Sequence, residues 1–187
     1  QAVSNQQTAY DPTCGSGSLL IKVADEARAQ SGFNLTLYGQ ERDNQTYTLA
    51  VMNMVLHNYE TAEIKRGNTL THPAFIDTGA LKTFDFVVAN PPFSDKAWIT
   101  GFTNPETGRF DDPYHRFAFG MPPAKNGDYA FLLHVLKSMK STGKGAIILP
   151  HGVLFRGAPF YMLPDNTYAC IISANYVGEG GPSDLVL

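Results

Sequence analysis

The sequence predicts an open α/β fold in which strands alternate with crossover helices around a largely buried sheet. Three observations carry that reading. Short β-rich runs alternate with stretches of helical periodicity. A glycine-rich turn, Asp11-Pro12-Thr13-Cys14-Gly15-Ser16-Gly17, sits where a first strand hands over to a first helix. The run Phe84 to Ala89 reads as a fully buried strand and stops abruptly at Asn90-Pro91-Pro92-Phe93.

Taken in order, Thr8 to Asp11 is the first strand candidate and Ser18 to Gln30 the first helix, with Leu19, Leu20, Val23, Ala24 and Ala27 at helical spacing. Gly32 ends that helix. Leu35 to Gly39 forms the second strand, and Asp43 to His57 the second helix, which Asp43 or Asn44 is placed to cap. Ala62 to Lys65 is a weaker strand. After Phe93 comes a long insertion, Ser94 to Asn126, rich in Gly, Pro, Asn and Asp and interleaved with Trp98, Phe102, Phe110, Tyr114, Phe117 and Phe119. Its length marks it as more than a connector. A helix from Asp128 to Lys140 and a strand from Gly145 to Pro150 follow, with late strands expected at Tyr168 to Ala174 and Asp184 to Leu187.

Composition narrows the classes. The 187 residues, 43% hydrophobic and 17% charged, fit a single domain spanning 1–187. No apolar run reaches membrane-spanning length and no signal-peptide pattern opens the sequence, so the expected location is cytoplasmic. Cys14 and Cys170 make no metal-type spacing, so no metal site is expected. The net charge of −3 argues against a domain that grips nucleic acid by its own phosphate contacts.

Each motif implies chemistry. Open α/β sheets bind ligands at the carboxyl ends of their strands, where the glycine loop lies. The loop lacks the third glycine of a dinucleotide fingerprint and the Gly-Lys-Ser/Thr of a phosphate loop. Asp11 at its mouth would oppose a pyrophosphate and suits a ligand bearing an amine and a sulfonium. Glu41, closing Tyr38-Gly39-Gln40-Glu41, is either an acceptor for ribose hydroxyls or a solvent-facing charge that starts the next helix. In Asn90-Pro91-Pro92-Phe93, the Asn90 side-chain oxygen and the Pro91 main-chain oxygen can accept hydrogen bonds from an aromatic amine. That draws its lone pair out of the ring, toward a methyl donor. Phe93 offers a face for an extruded base. His57, His134 and His151 read as structural or capping groups, and Cys14 as a packing residue rather than a nucleophile. The insertion aromatics either pack on each other or line nucleic acid, and Lys96, Arg109, Arg116 and Lys125 favour contact with phosphate or a partner.

These motifs resemble the catalytic domain of N6-adenine DNA methyltransferases, most closely the modification subunit of type I restriction-modification systems. The resemblance rests on DPTCGSGSLL from Asp11, YGQE ending at Glu41, NMVLH at Asn53 to His57, GNTL at Gly67 to Leu70, FDFVVANPPFSDKAW at Phe84 to Trp98, GDYAFLLHVL from Gly127 and GKGAIILPHGVLFRG from Gly143. It implies a doubly wound, mostly parallel seven-stranded sheet of the S-adenosylmethionine-dependent methyltransferase (Rossmann-like) type. It also implies methyl transfer from S-adenosylmethionine to adenine N6. The implied catalytic residues are Asn90, Pro91, Pro92 and Phe93. The implied cofactor residues are Asp11, Pro12, Cys14, Gly15, Ser16, Gly17 and Glu41, with Asn68 and Asn90. The family commonly carries an aspartate where Asn68 stands, so Asn68 either accepts the cofactor's adenine amino group or shapes a Gly-Asn turn. Implied partners are DNA, a specificity subunit, a second modification subunit and a restriction subunit. The family's N-terminal helical domain is not expected within these residues. Two other readings stay open: methylation of another planar amine or amide, and a non-catalytic assembly module.

Overall fold

The structure is a computed structural model that describes residues 7–104, 106–118, 120–150, 153 and 169–172. Its centre is a six-stranded sheet in the order β3-β2-β1-β6-β7-β8, all neighbours parallel. The strands are β1 (Thr8–Asp11), β2 (Thr36–Glu41), β3 (Glu63–Arg66), β6 (Phe84–Ala89), β7 (Met139–Ile148) and β8 (Ala169–Ile172). The doubly wound parallel sheet thus stands as expected, with six strands among the described residues where seven are expected. The late strand at Tyr168 to Ala174 corresponds to β8. Asp184 to Leu187 lie outside the described residues.

Helices α1 (Ser18–Ser31) and α2 (Asn44–Leu56) carry the chain from β1 to β2 to β3, moving outward in one direction. The chain then returns to the other side of β1 with β6. Strand order therefore reverses between β1 and β6, and their carboxyl ends carry Asp11 and Ala89, the residues that open into the two motifs. This is the switch point at which open α/β sheets bind ligands.

Both faces of the sheet are covered, which is why its strands read as near-continuous apolar runs. Successive side chains alternate faces. Tyr10 and Tyr38 join Phe75, Phe84, Val87, Trp98 and Val135 on one side. Ala9 and Leu37 join Leu20, Ala24, Ala50, Met54 and Ile64 under α1 and α2 on the other. Helix α1 ends where Gly32 takes a left-handed turn (φ 71°) and returns its N–H to Arg28 O at 2.9 Å. Of the two candidate caps for α2, Asp43 serves: its carboxylate accepts from Thr46 N at 2.8 Å.

Two elements differ from expectation. Helix α3 (Asp128–Lys137) ends three residues before Lys140, and Met139 and Lys140 already belong to β7. Met139 continues the apolar spacing of Phe131, Leu132 and Val135, so periodicity carries the helix onward, whereas the chain leaves it at Ser138 without a glycine or proline. Met139 packs instead against Gly145, where an added Cβ would lie 2.5 Å from its sulfur. The second difference is a small antiparallel ribbon, β4 (Ile76–Asp77) with β5 (Ala80–Leu81), too short to leave a period in the sequence.

Candidate cofactor and target-base site

The glycine loop is held from three sides. Cys14 N donates to Gln40 O at 3.0 Å, Gly17 N donates to Cys14 O at 2.8 Å, and Asn53 of α2 donates from Nδ2 to Ser16 O at 2.9 Å. Gly17 has φ 81°, and a Cβ there would sit 2.5 Å from the Met54 methyl, so both conformation and the close approach of α2 call for glycine. Asn53 and Met54 thus shape the loop from a distant helix. Their only sequence trace is the NMVLH run.

Glu41 closes β2 facing this loop. Its Oε2 accepts from Gly15 N at 3.0 Å and its Oε1 from Asp43 N at 2.8 Å. The carboxylate is therefore oriented by main-chain donors on both flanks rather than left as a loose surface charge. Asn68 follows the Glu41–Gly67 contact (Gly67 N to Glu41 O, 2.8 Å), and its Oδ1 accepts from Leu70 N at 3.0 Å and from Thr71 N at 3.5 Å. That is the turn-shaping geometry.

A cavity of about 670 Å³ joins the two motifs. Pro12, Thr13, Gly15, Glu41 and Asn68 line it together with Asn90, Pro92, Asp95, Trp98 and Phe131. Its size lies within the usual range for small-molecule sites. Of the remaining sequence candidates, Pro91 is buried beneath the turn, and Phe93 is 51% exposed. Ser16 and Gly17 do not line the cavity; Ser16 Oγ pairs with Ser18 Oγ at 2.7 Å. Cys14 turns inward: its sulfur would lie 3.0 Å from a Cβ at Gly39, and burial pushes the thiol pKa up. That placement is a packing role. Among the described residues, no cluster of three or more His, Cys, Asp or Glu could hold a metal, and no helix is long and apolar enough to cross a membrane.

Asp11 lies under the loop, 1% exposed, with Oδ1 accepting from Thr13 N at 2.8 Å. Desolvation raises its pKa from 3.8 to about 7, opposed by the Thr13 hydrogen bonds and assisted by the nearby Glu41 charge. Because the folded value lies above the unfolded one, folding retains a proton, and this contribution to stability is lost as pH rises from about 4 to about 7. The ligand-free protein is expected to lose thermal stability over that window, and Asp11→Asn to flatten the loss. An Asp11→Asn profile parallel to that of the wild type would contradict the assignment.

The insertion packs mainly on itself. Trp98, Phe102, Phe110 and Phe117 form a cluster with ring centroids 5.2–5.8 Å apart. Arg116 is not available to phosphate: it is 2% exposed and paired with Asp112 at 2.8 Å.

The sheet order and the switch-point cavity define an α/β domain of the methyltransferase (Rossmann-like) fold class. Comparison with known proteins makes this specific. The N-6 DNA Methylase family profile matches residues 2–160, and the chain belongs to that family. The Haemophilus influenzae type I restriction enzyme HindI methylase subunit is 35% identical over 147 residues, covering 76% of this chain and 30% of that protein. The Mycoplasma pneumoniae MpnII methylase subunit is 33% identical, over 79% of this chain and 27% of its own length. A crystal structure of the type I restriction-modification methyltransferase subunit from Streptococcus thermophilus superposes with a TM-score of 0.63 at 35% identity, over 84% of this chain and 32% of that one. The chain thus spans about a third or less of the length of these relatives.

Proposed function

We propose that the chain is the catalytic core of a type I modification subunit, transferring a methyl group from S-adenosylmethionine to adenine N6 in DNA. The observation that carries this reading is that one cavity is lined by Gly15 and Glu41 as well as by Asn90 and Pro92. The donor set fits the cofactor: the Glu41 carboxylate, oriented by main-chain donors at the cavity wall, suits ribose hydroxyls.

When bound, S-adenosylmethionine supplies an electrophilic methyl on a sulfonium. The chain's own residues do the rest. Glu41, held by Gly15 N and Asp43 N, accepts the ribose hydroxyls. Asn90 Oδ1 and Pro91 O accept from the adenine amino group and aim its lone pair at the methyl. Phe93, half exposed and next in the chain to the cavity-lining Pro92, stacks on the extruded base. The methylated amine would release its extra proton to water, so none of the chain's residues need act as a general base. A separate specificity subunit would supply phosphate contacts that a chain of net charge −3 lacks. A second modification subunit and, for cleavage, a restriction subunit complete the proposed assembly, in the cytoplasm.

Glu41→Ala is expected to weaken S-adenosylmethionine binding by on the order of 10- to 100-fold, the scale of lost hydrogen bonds to a charged group. Isothermal titration checks it, and unchanged affinity would remove Glu41 from the cofactor site. The reaction itself is tested by tritiated methyl transfer to unmethylated DNA, RNA and protein, using the full-length chain with its specificity subunit. Label on DNA adenine is expected. Label on protein alone would overturn the proposal.

A further inference from the structure

We infer that Asp128 is a positioning residue that holds the Asn90–Phe93 turn in its working geometry, an inference that rests on the methyl-transfer reading above. Ser94 directly follows Phe93 and takes a positive φ of 54°, a conformation that costs energy for any residue but glycine and persists only when its surroundings fix it. The fixing group is on α3. Asp128 is fully buried, and its Oδ1 accepts from Ser94 N at 2.7 Å across 34 residues of sequence. One residue earlier, Gly127 N donates to Asp95 O at 2.9 Å. The first turn of α3 therefore grips the chain after Phe93 by two bonds of opposite polarity.

The main-chain N–H of Asp128 is met by a different side chain, donating to Asn126 Oδ1 at 3.0 Å. Gly127 lets the two segments close: a Cβ there would lie 2.8 Å from the Trp98 Cβ. One turn along α3, Phe131 lines the cavity together with Asp95 and Trp98. The same helix thus forms the wall of the cavity and sets the turn that grips the target amine. A buried carboxylate is costly where packing alone is needed, and its negative charge is favoured at a helix N-terminus while it meets an otherwise strained main-chain donor.

The test compares Asp128→Ala and Asp128→Asn with the wild type in the full-length chain with its specificity subunit. Asp128→Ala is expected to slow single-turnover transfer on the order of 10²-fold, the scale of a small misplacement of reacting groups, with cofactor affinity changed less than about threefold. Amide exchange should accelerate across Ser94 to Trp98 and stay unchanged across Asp11 to Gly17. Asp128→Asn keeps an oxygen acceptor and is expected to recover most of the rate. Wild-type turnover in Asp128→Ala, unaltered exchange at Ser94, or cofactor affinity lost in step with rate would each overturn the inference. Transfer to an acceptor other than DNA would instead overturn the substrate reading, because the Asp128 comparison is made on whichever amine the wild type methylates. If the wild type methylates nothing, the exchange result decides alone.

Discussion

Asn90→Ala is expected to lower methyl-transfer turnover by on the order of 10²- to 10³-fold, the scale seen when one hydrogen-bonding partner of a developing transition-state charge is removed. Cofactor affinity should change by less than about threefold, because an interaction made chiefly in the transition state reports in kcat and not in binding. The geometry supports that separation. Asn90 opens the turn directly from β6, whereas Gly15 and Glu41, which also line the cavity, belong to the glycine loop and the end of β2. Pro91 is buried below it, so truncating Asn90 removes an acceptor without unseating the backbone. Single-turnover transfer and calorimetric titration on the same preparation check both halves. Full turnover in the variant would contradict the assigned mechanism, and parallel loss of binding would move Asn90 to the cofactor.

Arg116→Ala is expected to destabilise the protein by about 3–5 kcal/mol, the cost of leaving the partner of a buried ion pair uncompensated. Arg116 donates from Nε and Nη2 to Asp112 Oδ1 at 2.9 and 2.8 Å, and the two side chains are 1% and 6% exposed. Its guanidinium also lies 5.1–5.5 Å from the ring centroids of Phe102, Tyr114 and Phe117. Nη1 meets His134 Nδ1 at 3.3 Å. Arginine only donates, so Nδ1 must be the unprotonated nitrogen and Nε2–H is left to donate to Tyr10 OH at 3.3 Å. Burial first, then the Arg116 charge, lowers the His134 pKa to about 3, which keeps that tautomer neutral. The chain Asp112–Arg116–His134–Tyr10 thereby ties the insertion to α3 and to β1 beside the glycine loop. Arg116→Lys should rescue little, since an ammonium cannot reproduce the planar fork. Urea denaturation measures the effect, and a loss below about 1 kcal/mol would show the pair to be dispensable.

What was legible in the sequence is what local pattern encodes. The glycine loop and the buried run ending at Ala89 depend on neighbours within a few residues and stand where the sequence places them, and of the two caps it offers for α2 the structure uses Asp43. Glu41 was legible as an acid at the end of β2, but not as one clamped by Gly15 N from 26 residues away. The same limit explains Cys14, whose place in a ligand-binding loop says nothing of the Gly39 backbone it packs against. Arg116 reads as a free cation in a polar stretch; only the fold encloses it among Phe102, Phe117 and His134. Asn53 and Asp128 act on the two motifs across 37 and 34 residues, through contacts that no periodicity announces.

A crystal structure of the chain with S-adenosylhomocysteine bound is the most direct test of the proposed function. Ligand density is expected to fill the cavity, with the ribose hydroxyls within hydrogen-bonding distance of Glu41 and the sulfur end directed toward Asn90 and Phe93. Ligand density elsewhere, or a bound ribose out of reach of Glu41, would contradict it.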